Sequence, residues 1–220
     1  VAEAYGWYNR NTAYNPYMSE GKKTAAFEIA EQLDWRTPDR VFVPVGDGCI
    51  IGGIHKGFKD LLALGWITTM PKIMGIQAVG SSPLVDAFER GLEGWEMEPV
   101  DAHTVADSIS AGLPRDRNKA LAAVRETDGA FLAVSDQAIL DAIPIIAQNT
   151  GVFCEPAAAA SYAGLVKAVE EGVVDPDERV VLLLTGSGLK DIANAMKVVP
   201  EPPVIAPTLE AVQAVSRALG

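Results

Sequence analysis

Val41-Phe-Val-Pro-Val-Gly-Asp-Gly-Cys-Ile-Ile-Gly-Gly53 joins a short β-branched apolar run to a glycine-rich turn. A helical stretch follows from about Ile50 to Leu64, and Gly65 closes it. Strand, glycine turn and helix in that order make the opening unit of an α/β fold. The same order recurs outward from it. Lys72-Ile-Met-Gly-Ile-Gln77 reads as a second strand, and Phe131-Leu-Ala-Val134 as a third. A helix is expected after the third, from Ser135 to about Asn149, with Ser135 as N-cap and Pro144 inside it. Ala157 to Glu171 is strongly helical up to Gly172. Val180-Val-Leu-Leu-Leu184 is apolar at every position, which predicts a strand buried on both faces. The fold class is therefore α/β, a mostly parallel sheet with flanking helices.

Three parts are expected along the chain. Residues 1–40 enter the large domain through an aromatic segment without clear period, Tyr5 to Tyr17, and an acidic helix, Ala26 to Leu33. Residues 41–197 form the α/β body. Residues 198–220 make a connector with four prolines and a final helix, Leu209 to Leu219.

Composition narrows the function. Hydrophobic residues make up 49% of the 220, enough to build a core rather than a disordered chain. A net charge of −11 argues against nucleic acid as partner, because a phosphate backbone asks for a basic footprint. No apolar run approaches the roughly 20 residues of a membrane span. The two cysteines, Cys49 and Cys154, form no metal-ligand or disulfide pattern, which suits a reduced, cytoplasmic setting. His55 and His103 have no metal-ligand spacing, and each is expected to be solvated or satisfied in the fold.

Three loops can carry chemistry. At Gly46, Asp47, Gly48, Cys49 and Ile50, glycines let the backbone turn tightly just where a helix begins. The unpaired N–H groups and positive dipole end of that helix suit a phosphate. An ordinary tight turn is an equal alternative for this feature alone, and Asp47 must point away from any anion. A strict GxGxxG fingerprint fails at Ile51, and only a looser GxGxxxG survives through Gly52. Thr185-Gly-Ser-Gly-Leu-Lys-Asp191 follows the last strand, where ligands of parallel sheets bind. Its hydroxyls can serve a ligand or cap a helix. Cys154-Glu-Pro-Ala157 places Glu155 at the start of an alanine-rich helix, a placement that helix chemistry alone also favours. Arg115 could meet an anionic substrate, and a surface arginine is the plainer expectation.

Asn15-Pro-Tyr-Met-Ser-Glu-Gly-Lys-Lys-Thr24, Pro44-Val-Gly-Asp-Gly48, Ala106-Asp-Ser-Ile109, Glu155-Pro-Ala157 and Thr185-Gly-Ser-Gly-Leu-Lys-Asp191 stand in the order seen in threonine synthases. Over nearly its whole length, to about Lys197, the chain resembles the carboxyl-terminal portion of that family, of the tryptophan synthase β-like group (fold type II). The resemblance implies a lyase that uses pyridoxal 5′-phosphate to convert O-phospho-L-homoserine and water to L-threonine and phosphate. It implies that Gly46, Asp47, Gly48, Cys49 and Ile50 hold the cofactor phosphate. It places Thr185 at the pyridine nitrogen and Glu155 beside the cofactor. The family's cofactor-bearing lysine lies in an N-terminal Ser-x-Lys-Asp-type motif that this sequence does not contain. Lys22, Lys23 and Lys190 are in no such context. The missing part of the enzyme is thus an expected partner, with homodimerisation a further possibility. Related β-replacement enzymes and dehydratases, such as cysteate synthase and serine/threonine dehydratase, share much of the pattern. A non-catalytic phosphate-ligand-binding module and an NAD(P)-dependent oxidoreductase are the readings from outside this chemistry.

Overall fold

The structure, a computed structural model, describes residues 1–218. Four strands form one sheet in the order β3-β2-β1-β4, and all three pairings are parallel. They are β1 (Arg40–Pro44), β2 (Lys72–Ala78), β3 (Ala130–Val134) and β4 (Val180–Leu182). Ten helices flank or follow the sheet among the described residues: α1 (Ala2–Tyr5), α2 (Pro16–Glu20), α3 (Thr24–Gln32), α4 (Cys49–Ala63), α5 (Pro83–Glu89), α6 (Arg117–Arg125), α7 (Asp136–Thr150), α8 (Pro156–Glu170), α9 (Ile192–Ala195) and α10 (Leu209–Ala218).

The sheet separates two apolar cores. On one side, Ile51, Ile54 and Phe58 of α4 meet Ala26 and Ala30 of α3 and Leu121 and Val124 of α6. On the other, Ile139, Ile143 and Ile146 of α7 meet the alanines 157–160 of α8 against Phe42, Met74 and Ile76. The small side chains of α8 let it lie close to the sheet. Gly164 sits where a Cβ would come within 2.4 Å of Ile76.

The central strands follow expectation, with β1 buried at every position. Ser135 caps α7 by accepting a hydrogen bond from the Ala138 N–H, and the helix continues through Pro144. Three features differ from the sequence reading. The run at residues 180–184 gives a strand of three residues that is only half-buried, because β4 is an edge of the sheet rather than an interior strand. The aperiodic aromatic segment contains α1 and leads into α2, which starts at Pro16 with the Asn15 side chain accepting from Tyr17 N–H. Three helices, α5, α6 and the short α9, have no counterpart in the sequence pattern. The first begins Ser82-Pro83 and is tied to β2 by the fully buried Gln77, whose Oε1 accepts from the N–H groups of Leu84 and Val85. The final helix runs Leu209–Ala218, and Leu219 of the expected helix lies outside the described residues.

Candidate active site

The carboxyl ends of β1 and β4 open into a cavity of about 290 Å³. All seven residues singled out from the sequence line it: Gly46, Asp47, Gly48, Cys49 and Ile50 on one wall, Glu155 and Thr185 on another. The loop at residues 108–111, Thr12, Lys22 and Lys190 are also part of the lining.

The glycine loop is shaped by packing as much as by any ligand. Gly48 has φ +88°, and a Cβ there would meet Ala120 Cβ and the Asp116 carbonyl, both at 3.0 Å. A side chain at this position is therefore excluded by backbone geometry and by α6 before any anion is considered. Among the described residues, no acceptor takes the backbone N–H of residues 46–51. The first intrahelical bond of α4 runs from Gly52 N–H to Gly48 O, leaving the amides before it free at the positive end of a 15-residue helix. Asp47 does not oppose an anion there. Its carboxylate accepts from Arg115 N–H at 3.3 Å and its carbonyl from Asp116 N–H at 2.8 Å. The Arg115 side chain is exposed, as expected.

Behind the loop lies a network the sequence did not reveal. Asp116, 7% exposed, accepts from Ser19 Oγ and pairs with Lys119, both at 2.8 Å. Burial works against its charge, yet hydrogen bonds from Cys49, Lys119 and Ser19 hold its carboxyl below the usual range. Burial, and next the Asp116 carboxylate, push the Cys49 thiol up to about 11. Burial likewise pushes Cys154 up to about 11, and both thiols are free. Protonated, buried thiols are poor nucleophiles.

The other two motifs are brought together by their backbones. Glu155 N–H donates to Gly186 O and Gly188 N–H to Phe153 O, each at 3.0 Å. A Cβ at Gly186 would fall 2.0 Å from Glu155 Oε1, so a side chain there would require the Glu155 carboxylate to move. Glu155, 6% exposed, is held by Lys190 at 2.8 Å and by Ser108 Oγ at 3.3 Å. The two hydroxyls of the loop divide their tasks. Ser187 caps the following turn by accepting from Leu189 N–H. Thr185 Oγ1 has no partner among the described residues. Of the two lysines on the cavity wall, Lys190 is committed to Glu155, and Lys22 donates to Met18 O at 3.0 Å. Lys23 is paired with Glu20 and Asp60.

Three hollows are larger: one of about 420 Å³ between α7 and α8, one of about 430 Å³ beside α4 and α6, and one of about 300 Å³ that adjoins the site at Asp107, Pro156 and Asp191. The first is mainly apolar. In the second, Lys56, Lys59 and Lys119 are paired with Asp60, Glu126 and Asp116. Size therefore does not mark the site. The smaller cavity alone combines a row of free amides with an uncommitted hydroxyl among the described residues. His55 is buried, with Nε2 3.2 Å from Glu126, and burial lowers its pKa. No cluster of metal-ligating side chains exists among the described residues, nor does any helix there reach the length and apolarity needed to cross a membrane. Gly52, which kept the looser dinucleotide pattern alive, packs against Lys119 of α6, where its Cβ would fall 3.0 Å from the lysine Cβ. Helix packing accounts for that glycine without a ligand.

A parallel α/β sheet with free helix-start amides and a neutral hydroxyl at its carboxyl edge defines a class of α/β proteins suited to phosphorylated ligands. Among such proteins, the chain matches the family of pyridoxal-phosphate dependent enzymes over residues 1–186, and it belongs to that family. It is 45% identical to a threonine synthase of Methanocaldococcus jannaschii over 86% of this chain and 46% of that protein. It is 44% identical to a threonine synthase of Methanosarcina acetivorans over 90% and 49%, respectively. The processed form of threonine deaminase isoform 2 from Solanum lycopersicum shares the fold, with a TM-score of 0.73 at 22% identity, covering 90% of this chain and 53% of that one. The chain thus spans about half the length of the relatives it matches. The family's cofactor, pyridoxal phosphate, fits the donor set: amides for the phosphate and an unpartnered hydroxyl for a heteroaromatic nitrogen.

Proposed function

We propose that this chain is the phosphate-holding, carboxyl-terminal part of a pyridoxal-phosphate enzyme that converts O-phospho-L-homoserine and water to L-threonine and phosphate. One observation carries the reading: unengaged amides of residues 46–51 and the unpartnered hydroxyl of Thr185 share one cavity in a chain 44–45% identical to threonine synthases. When bound, the cofactor supplies an electron sink. The chain's residues do the rest. The amides of Gly46, Asp47, Gly48, Cys49 and Ile50 bind the phosphate. Thr185 meets the ring nitrogen with a neutral hydroxyl, which leaves that nitrogen largely unprotonated. Glu155, fixed by Lys190 and Ser108, walls the site. The lysine that carries the cofactor is assigned to the remainder of the enzyme, because Lys22 and Lys190 are both engaged.

Borohydride reduction of the 220-residue chain with pyridoxal phosphate, followed by peptide mapping, tests this. The expected outcome is no specifically labelled lysine and no threonine from O-phosphohomoserine. One labelled lysine in this chain together with threonine formation would overturn the assignment. Release of ammonia and a keto acid by the complete enzyme would point to a dehydratase instead. In that complete enzyme Thr185→Val should lower turnover at least about tenfold, roughly 1.4 kcal/mol in the barrier, with cofactor retained.

A further inference from the structure

We infer that the groove between α2, α4 and α6 is a second oxyanion site, built to take a phosphate group. It shares no lining residue with the cavity at the glycine loop, and it goes beyond the function proposed above.

The floor of the groove is made by what α4 leaves out. Gly52 and Gly53 place no side chain there, and a Cβ on Gly52 would already meet Lys119 Cβ of α6 at 3.0 Å. Residues three and four apart share a helix face, so His55, Lys56 and Lys59 follow along the same wall. Lys119 borders the groove from α6. Its volume of about 430 Å³ leaves room for the organic body of a phosphate ester as well as for the anion.

His55 supplies the sharpest signal. Its side chain is 9% exposed, and Nε2 is the one buried side-chain nitrogen or oxygen without a hydrogen-bond partner among the described residues. Such an orphan asks for an explanation, because buried polar groups are otherwise satisfied. Glu126 Oε2 lies 3.2 Å away, yet the two are not aligned as a hydrogen bond. A lone pair on Nε2 would oppose that carboxylate, so the proton belongs on Nε2 and the ring presents a donor. Lys59 Nζ donates to the same Oε2 at 2.8 Å. Glu126 therefore stands, as a misaligned substitute, where an oxyanion would bridge His55 and Lys59. Its side chain is half-exposed and can swing outward to uncover the ring.

The other lysines can be spared from their present partners. Asp60 keeps Lys23 at 3.0 Å when Lys56 turns away, and Asp116 keeps Ser19 Oγ at 2.8 Å when Lys119 does. Glu20, the remaining acid of the lining, is held by Lys23. Three ammonium groups and one neutral N–H suit an anion with more than one charge and three acceptor oxygens, which describes a phosphate group and not a single carboxylate.

Nuclear magnetic resonance of the 220-residue chain tests the site. The probes are inorganic phosphate and glycerol 3-phosphate at constant pH, with chloride at matched ionic strength as control. A saturable shift of the His55 ring and the Gly53 amide is expected with the probes and not with chloride. Tighter binding of the ester assigns the site to a phosphorylated small molecule, and equal binding assigns it to free phosphate; both uphold the inference. His55→Phe, which keeps a buried ring and removes the N–H, should weaken binding at least ~tenfold as read at Gly53, and Lys59→Gln should do the same as read at His55. Glu126→Ala, which removes the built-in competitor, should tighten it at least ~fivefold. A shift that chloride reproduces, a His55 ring that stays still while phosphate saturates the lysines, or a Glu126→Ala variant that binds no more tightly overturns the inference and leaves an adventitious ion on surface lysines. The amides of residues 46–50 report the glycine loop separately. Shifts there without His55 overturn this site and leave the proposed function standing, and shifts at His55 without the loop do the reverse.

Discussion

The two edges of the sheet are built differently. At β3, the outward backbone groups are those of Phe131 and Ala133, since Val134 O is engaged by Val79 N–H of the neighbouring chain segment. Lys167 reaches over from α8, and its Nζ donates to Ala133 O at 2.9 Å. A lysine set on an edge in this way discourages strand addition. At β4 no side chain among the described residues bonds to the outward groups, although the strand is the more apolar of the two. One edge carries a lysine bonded to an outward carbonyl, and the other, among the described residues, carries none and lies beside the cavity. The difference teaches that the sheet is asymmetric: the candidate site and the uncovered edge share the β1–β4 end, and the lysine sits at the β3 end.

The strongest way to break the contrast is to loosen β4 from β1. Arg40, 6% exposed, lies at the start of β1 and donates from Nη2 to Glu178 Oε1 at 2.9 Å, with Nε on Oε2, just before β4 begins. Glu178→Gln leaves a buried guanidinium without its counter-charge. Such losses cost roughly 3–5 kcal/mol when fully buried, and partial exposure of Glu178 reduces this to about 2–3 kcal/mol. Denaturant unfolding measures the total, and amide exchange should show Val181 and Leu183 losing protection before β2 does. The ion pair with Arg40 holds the Glu178 carboxyl below its ordinary range. A depressed carboxyl contributes stability that is present above the ordinary carboxylate range and lost as pH falls through its folded value. Acid should therefore loosen β4 in the wild type, and Glu178→Gln should flatten that limb of the profile. An unchanged acid limb would show that Arg40 does not anchor the edge.

The contrast between edges was only half legible in the sequence. Residues 41–45 and 180–184 share an apolar, β-branched character, and the second run predicts a strand buried on both faces. The first is interior and the second is not, because composition records how much burial a strand expects, whereas the partner that supplies it lies outside the strand. The glycine loop, Glu155 and Thr185 were legible because strand, glycine and helix starts are local signals. Why they meet was not: Ser19 and Asp116 are 97 positions apart, and Glu155 meets residue 186 through a backbone pairing that no periodicity announces. Ser187 and Thr185 look equivalent as hydroxyls, and only the hydrogen-bond pattern shows that one is spent on a cap. α6 carried an apolar face at Ala120, Leu121 and Val124, but its charged flanks and missing glycine stop gave no boundary to read.

The smallest effect expected is at the closed edge. Lys167→Met keeps the aliphatic stem, so packing against α7 and β3 should persist. A net hydrogen bond of this kind contributes about 0.5–1.5 kcal/mol, and the lysine side chain is 38% exposed, so the loss in stability should stay below about 1 kcal/mol. Association is the more telling readout. Without the ammonium group Ala133 O is uncovered, beside a hollow in which Val79, Ile145 and Val166 are already exposed. Sedimentation of the variant should then show concentration-dependent self-association beyond that of wild type, and Lys167→Arg, which keeps a donor and a charge, should restore wild-type behaviour. Both proteins should be compared at the same concentrations and share the β4 edge, so that only β3 differs. If Lys167→Met sediments like wild type under those conditions, the β3 edge is kept silent by the α7–α8 flank and not by the lysine, and the two edges differ less than their backbones suggest.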